Sequence, residues 1–257
     1  MKFLQLVTFA AALCVAASAA QARPLAAVRQ DGTLRLATEG YYAPFNFFQG
    51  PQLTGFEVEV AELVARKMGL RPQWKTLGFD ALLTGLQQDR WDVVIASHAI
   101  TPERARAVTF AAPHYCSGGT IVSMTPKLRS AKDLAGKIVA VQTGTTYAAE
   151  VQRLPGVRAV KNFPADTDAR SALVSKRVDA MVTDRFVAKA LLQKAPHAGF
   201  HLGEMVTVER IAAAMALGNA GLADAWSQAL QAVMADGSYA KVSQKYFQED
   251  IRCPAGH

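Results

Sequence analysis

"WDVVIASHAITPERARA", residues 91–107, joins an apolar run to a polar segment marked by proline. The run "WDVVIAS" reads as a buried strand. Thr101 is a good helix N-cap and Pro102 suits the first helical position. A buried strand running directly into a helix is the building unit of a parallel α/β sheet. Arg104 and Arg106 then place positive charge in the first turn, where the helix dipole is already positive. At an exposed site that costs roughly 0.3–1 kcal/mol per charge. Something negative is therefore expected nearby: a ligand carboxylate, a local Glu, or solvent alone.

The same alternation extends in both directions. Upstream lie the strand "TLRLAT" (33–38), a Gly/Pro/aromatic loop (39–55), the helix "FEVEVAELVARKMGL" (56–70), the strand "RPQWKTL" and the helix "FDALLTGLQQDR". From about residue 118 the pattern restarts. "GGTIVSM", "KIVAVQ", "RAVKNF" and "VDAMVTD" read as strands, separated by the helices "SAKDLAG", "YAAEVQRL" and "TDARSALVSKR". The strand "AAAMAL" (212–217) and two helices, 220–237 and 238–247, close the chain. Two α/β units of about 90 residues predict two lobes. The chain is expected to cross between them near 115–120 and 206–214, in strand-like segments able to hinge around a cleft.

Hydrophobic residues make up 51% and charged residues 19% of the 257, which indicates a globular protein with sizeable cores. The opening "MKFLQLVTFAAALCVAASAAQA" has one Lys, an apolar run and small residues up to Ala22. It reads as a secretory signal peptide over 1–22. The net charge of +7 is spread without a Lys/Arg block or interleaved aromatics, which argues against a nucleic-acid partner. The five His are scattered and no Cys/His spacing suits zinc, so neither a metal nor a cofactor is expected.

Ligands bind where the C-terminal ends of parallel strands face a cleft. Those ends carry Glu39, the run Ser97-His98-Ala99, Thr143 to Thr146, and Asp184. The helix starts near 101 and 146 offer free backbone N–H groups to an anion, and Arg104 offers a planar fork that fits a carboxylate. Asp184 reads either as the partner of an ammonium group or as the N-cap of "RFVAKALLQ". Tyr42 and Phe79 read either as walls around an organic side chain or as core.

"ATEGYYAPFNF", "LTGFEVEVAELVARKMG", "WDVVIASHAITPERARAVTFAAPHY", "LAGKIVAVQTGTT" and "DGSYAKVSQKYF", taken in order, resemble the periplasmic solute-binding proteins of polar amino-acid ABC transporters, family 3 type. The resemblance implies a type II periplasmic-binding-protein fold: two α/β sheets joined by a two-stranded hinge, with lobe 1 at 23–116 plus 213–257 and lobe 2 at 117–212. It implies that Arg104 grips an α-carboxylate with help from Ser97 and Thr146. Asp184 would hold the α-ammonium, Tyr42 and Phe79 would flank the side chain, and Glu39 would read it. Ala99 stands where many relatives carry a side chain that contacts the ammonium. His98 replaces a usual Leu or Met and either faces the pocket or fills space.

Cys116 and Cys253 are the only cysteines left after cleavage, and in an oxidising compartment the pair is expected to be bridged, although relatives of the basic type often carry their bridge in the first helix region, where this chain has no cysteine. Glu39 with the two aromatics favours a basic or amide side chain, and a membrane permease is the implied partner of a monomeric, periplasmic receptor. An exported dehydratase acting on cyclohexadienyl acids, a receptor for an opine or other amino-acid derivative, and a sensory module are the competing readings.

Overall fold

The computed structural model describes residues 22–254, so the signal-peptide expectation for 1–22 lies almost wholly outside the described residues. Helix α1 (Leu25–Asp31) leads into strand β1 (Thr33–Thr38). The segment read as a loop holds three short strands, β2 (Tyr41–Tyr42), β3 (Asn46–Gln49) and β4 (Gln52–Thr54), paired in a small antiparallel sheet. At two to four residues each they are too short to show a period of two in the sequence. Then follow α2 (Phe56–Lys67), β5 (Arg71–Thr76), α3 (Phe79–Gln87), β6 (Val93–Val94), α4 (Pro102–Ala105) and the long β7 (Val108–Ser117).

The second unit comprises β8 (Gly119–Ser123), β9 (Ile138–Gln142), α5 (Thr146–Arg153), β10 (Ala159–Phe163), α6 (Asp166–Val174), β11 (Ala180–Asp184), α7 (Arg185–Lys194) and β12 (His201–Met205). "SAKDLAG" forms a 3₁₀ turn, Ala131–Leu134, closed by a capping box between Ser130 and Asp133. The chain ends with β13 (Glu209–Ala216), α8 (Ala220–Ala235) and α9 (Ser238–Phe247).

Two five-stranded sheets organise these elements, in the orders β5-β1-β6-β13-β7 and β10-β9-β11-β8-β12. β1 pairs in parallel with β5 and β6, and β9 with β10 and β11, as the strand–helix alternation requires. β13 runs antiparallel to β6 and β7, and β8 antiparallel to β11 and β12. Residues 209–212, expected with the second lobe, are paired instead into the first sheet, Glu209 opposite Ser117 and Arg210 opposite Cys116. The chain leaves that sheet between Ser117 and Gly119 and returns between Met205 and Glu209.

Both sheets are covered on both faces, which is why β6, β8, β9 and β11 are buried almost throughout rather than alternating, while the edge strands β5, β10 and β12 carry polar and exposed residues. Phe45, Phe56, Tyr115, Trp226 and Tyr239 fill one side of the first sheet, and Leu82, Leu86 and Trp91 the other. Ile121, Val141 and Tyr147 pack one side of the second sheet, and Val122, Leu173 and Met181 the other. α2 starts after Gly55, whose φ of +123° and close approach to Phe45 admit no side chain: a Cβ there would sit 2.3 Å from the Phe45 carbonyl oxygen. Cys116 and Cys253 form a disulfide across 137 residues of sequence. It ties the C-terminal segment to β7 beside the crossing.

Candidate functional site

The two sheets point the C-terminal ends of their parallel strands at one another. Glu39, just beyond β1, accepts a 2.7 Å hydrogen bond from the amide of Gln142, the last residue of β9. Around this meeting point lies a small cavity of about 10 Å³, room for about one water. Glu39, Tyr42, Phe79, Ser97, Arg104 and Thr146 line it, joined by Gln142, Thr145, Tyr147 and Glu209.

Arg104 sits on a single helical turn, held in place by the Thr101 hydroxyl, which accepts its backbone N–H. One turn has almost no macrodipole, so the penalty expected for a cation there does not arise. The guanidinium donates instead to the Ala99 carbonyl at 3.0 Å and, across to the second unit, to the Gly144 carbonyl at 2.9 Å. It lies 5.7 Å above the centre of the Phe79 ring. Burial pulls its pKa below the ordinary value, with Glu209 the strongest opposing charge. No carboxylate of the described residues forms an ion pair with it.

The acids around the cavity are perturbed the other way. Burial pushes Glu39 up to about 7, and the nearby charges of Asp166, Asp80 and Glu57 add to the shift. Burial raises Glu209 as well, although its carboxylate accepts from the Thr146 hydroxyl. The cavity lining therefore holds two carboxylates, Glu39 and Glu209, against one guanidinium. A cationic group entering it would be welcomed more than a second anion.

Asp184 and His98 stand apart from the other expected residues. Asp184 caps α7, its Oδ1 accepting the Phe186 N–H at 2.7 Å, while Oδ2 is buried without a partner among the described residues. It does not line the cavity. Tyr42, which does, accepts the Asp184 backbone N–H through its hydroxyl at 3.4 Å. Burial pushes Asp184 up to about 7. His98 does not reach the cavity either. Its ring stacks on the outer side of Phe79, centroids 4.3 Å apart and planes 11° from parallel. Burial, and then the charge of Arg104, hold it well below its ordinary pKa, so it is a neutral aromatic support.

Ser97 lines the cavity but not as a donor. Its backbone N–H and its hydroxyl both go to Glu57, at 2.7 and 3.0 Å. In this structure those hydrogens are committed to Glu57. Gln142 and Glu209 were not anticipated. Gln142 was in plain view at a strand end, but as a neutral amide it drew no charge argument. Glu209 sits in a polar stretch, "TVER", where only the pairing with Ser117 turns it toward the site.

Residues 34–249 match the family described as bacterial extracellular solute-binding proteins, family 3. The chain belongs to that family. The L-cystine-binding protein TcyJ of Escherichia coli strain K12 is 34% identical over 232 residues, covering 87% of this chain and 86% of that one. Among solved structures, an ancestral arginine-binding protein bound to glutamine is 37% identical, with a TM-score of 0.81 over 85% of this chain and 99% of its own. An ancestral amino-acid-binding protein described as a precursor of cyclohexadienyl dehydratase is 32% identical, with a TM-score of 0.79 over 86% and 97%. The two-lobed architecture of this family 3 protein is thus that of amino-acid-binding proteins. The family and these relatives are binding proteins rather than enzymes.

Proposed function

We propose that this protein is a periplasmic receptor that closes on an α-amino acid with a basic or amide side chain and hands it to an ABC permease. The observation that carries this is Arg104, a half-buried guanidinium that forms no ion pair with a carboxylate of the described residues, in a cavity whose lining also holds Glu39 and Glu209. An α-carboxylate would complete Arg104, with the start of α5 supplying further N–H donors. A cationic or amide side chain would take the place of the Gln142 amide on Glu39 between the rings of Tyr42 and Phe79. The first 22 residues act as the export signal, and the two sheets act as lobes hinged at the crossings beside Ser117 and Glu209. Of the two residues that could serve a dehydratase as acid or base, Glu39 and His98, only Glu39 lines the cavity, because His98 lies behind Phe79.

The test is a thermal-shift screen of refolded monomeric protein against L-arginine, L-lysine, L-histidine, L-glutamine, L-cystine and an opine. A ligand at 100 times its Kd stabilises by about 2.7 kcal/mol, a shift of roughly 5–10 °C in a chain of this size. Arg104→Ala abolishes the shift while leaving the protein folded. A shift with cystine alone would move the assignment to a ligand whose distal ammonium meets Glu39. Silence across the whole panel would end the receptor reading.

A further inference from the structure

The fold gathers a charge that the sequence leaves dispersed. Residues 118–208, the second unit, hold 13 Lys and Arg against 7 Asp and Glu, an excess of 6 cations. The rest of 23–257 is balanced at 14 of each. Six of the cations lie at the end of the second sheet away from the ligand cavity. Lys137 precedes β9, Arg158 precedes β10, and Lys176 and Arg177 precede β11, so all four stand at the starts of parallel strands. The Arg158 N–H donates to the Lys137 carbonyl and the Asp179 N–H to the Ile138 carbonyl, both at 2.9 Å, which sets the three strand starts side by side. Lys127 follows β8, whose last residue Ser123 lies opposite Ala180 at the start of β11. Lys132 sits on the 3₁₀ turn that leads into β9. Four adjacent strands at about 4.8 Å spacing make this pole about 15 Å wide.

Lys137 is half-buried and the other five are exposed, and none forms an ion pair with a carboxylate of the described residues. The acids between them, Asp133 and Asp179, cap the backbone N–H groups of Ser130 and Ile138 instead. Lys176 and Arg177 follow the C-terminus of α6, where the helix dipole favours a cation. Lys127, Lys132, Lys137 and Arg158 flank strands and gain nothing of that kind. The corresponding end of the first sheet is built the other way: Arg23, Arg35 and Lys67 pair there with Asp31, Asp89, Asp92 and Asp236. Strand starts in this protein can thus be neutralised, and those of the second sheet are not.

We propose that this pole is the surface by which the protein rests on an anionic phospholipid bilayer. None of the six cations lines the ligand cavity or either of two larger grooves, so no pocket gathers them around one small anion. Val174, 51% exposed at the end of α6, is the one large hydrophobic side chain exposed at this pole among the described residues. A protein partner would need a broader apolar centre. A bilayer needs only cations within reach of its headgroups, and each contributes roughly fivefold to binding at low salt. The cavity lies at the opposite ends of the same strands, so the contact leaves the ligand site open. The proposal does not depend on which ligand that site takes.

The test is co-sedimentation of the refolded protein with vesicles of phosphatidylglycerol and phosphatidylethanolamine. The wild type pellets with these vesicles at low salt and stays in solution with phosphatidylcholine vesicles. It is released at about 1 M salt, where the screening length is about 3 Å. Lys137→Gln/Arg158→Gln/Lys176→Gln lowers the partition roughly 100-fold. Replacing Lys127, Lys132 and Arg177 by Gln gives an independent triple variant with the same expected loss. Arg29→Gln/Lys75→Gln/Lys241→Gln removes equal charge from exposed positions of the first unit and changes the partition a few-fold at most. Equal losses in all three variants would mean that net charge alone drives binding, which overturns the proposal. So would retention on phosphatidylcholine, or no retention on any vesicle. Capture by soluble poly-L-glutamate without retention on vesicles would give the pole to an acidic protein instead. Displacement by inorganic phosphate beyond that by chloride of equal ionic strength would mean a discrete anion site and end the lipid assignment.

Discussion

Binding of a cationic amino acid should expel protons, and Glu39 sets the size of the effect. Burial holds its pKa near 7, against 4.5 for an unburied glutamate. Ionising it in the ligand-free protein therefore costs on the order of 3 kcal/mol. The sign follows directly. A raised pKa means that the folded, ligand-free protein keeps a proton that the unfolded chain has lost. Its stability accordingly falls as pH rises from about 4.5 through 7, and then levels off. A cation on Glu39 favours the ionised form, so binding releases that proton and tightens as pH rises toward 7. At pH 5 the proton must be displaced at a cost of about two pH units, and affinity for L-arginine drops roughly 100-fold from its value at pH 8. Titration calorimetry at pH 7 in two buffers of different ionisation enthalpy should show about 0.5 proton released from this group. Asp184, also near 7, titrates in the same window. Glu39→Gln removes this release, and it weakens arginine and lysine far more than glutamine. An identical pH profile in wild type and Glu39→Gln, or proton uptake on binding, would show that Glu39 does not meet the ligand's cation.

Two further outcomes follow from the geometry. Glu209 holds the Thr146 hydroxyl and sets a negative charge within reach of Arg104; Glu209→Gln should tighten ligand binding several-fold, as read by titration, and a weaker complex would mean that Glu209 contacts the ligand's cationic part instead. Reducing the Cys116–Cys253 bridge, or replacing both residues with Ser, should lower stability to denaturant by about 2–5 kcal/mol without changing ligand affinity, given the long loop it closes; unchanged stability would show that the C-terminal segment holds to β7 without it.

The alternation of apolar runs and amphipathic segments made the sheets legible, because buried parallel strands leave a signal that needs no knowledge of their neighbours. The residues 39–55 hid their strands because short pairings amid Gly and Pro carry no period. The site was legible where a charged or aromatic residue sits at a strand end: Glu39, Phe79 and Arg104 need only topology to be found. Glu209 needs the register of β13 on β7, and Gln142 needs the two sheets to face each other, neither of which is written locally. The part played by Ser97 depended on a carboxylate forty residues earlier in the chain, so its chemistry could be placed but its polarity could not. His98 was left between two readings by its sequence, and the flat face of Phe79 beside it decides for support.

Phe186, the second residue of α7, belongs by sequence to the second sheet but buries its ring in the core of the first, 5.0 Å from Phe247 and 6.4 Å from Phe45. Lys189, one turn further on, pairs with Glu249 of the C-terminal segment. Any motion that swings α7 away with its sheet withdraws an aromatic ring into water. Closing the cleft is then partly a hydrophobic reaction, with a negative heat-capacity change that belongs to the protein and not to whichever solute it carries. On the receptor reading proposed above, the ligand would select the moment of closure, while an apolar side chain outside the cavity would supply part of the force.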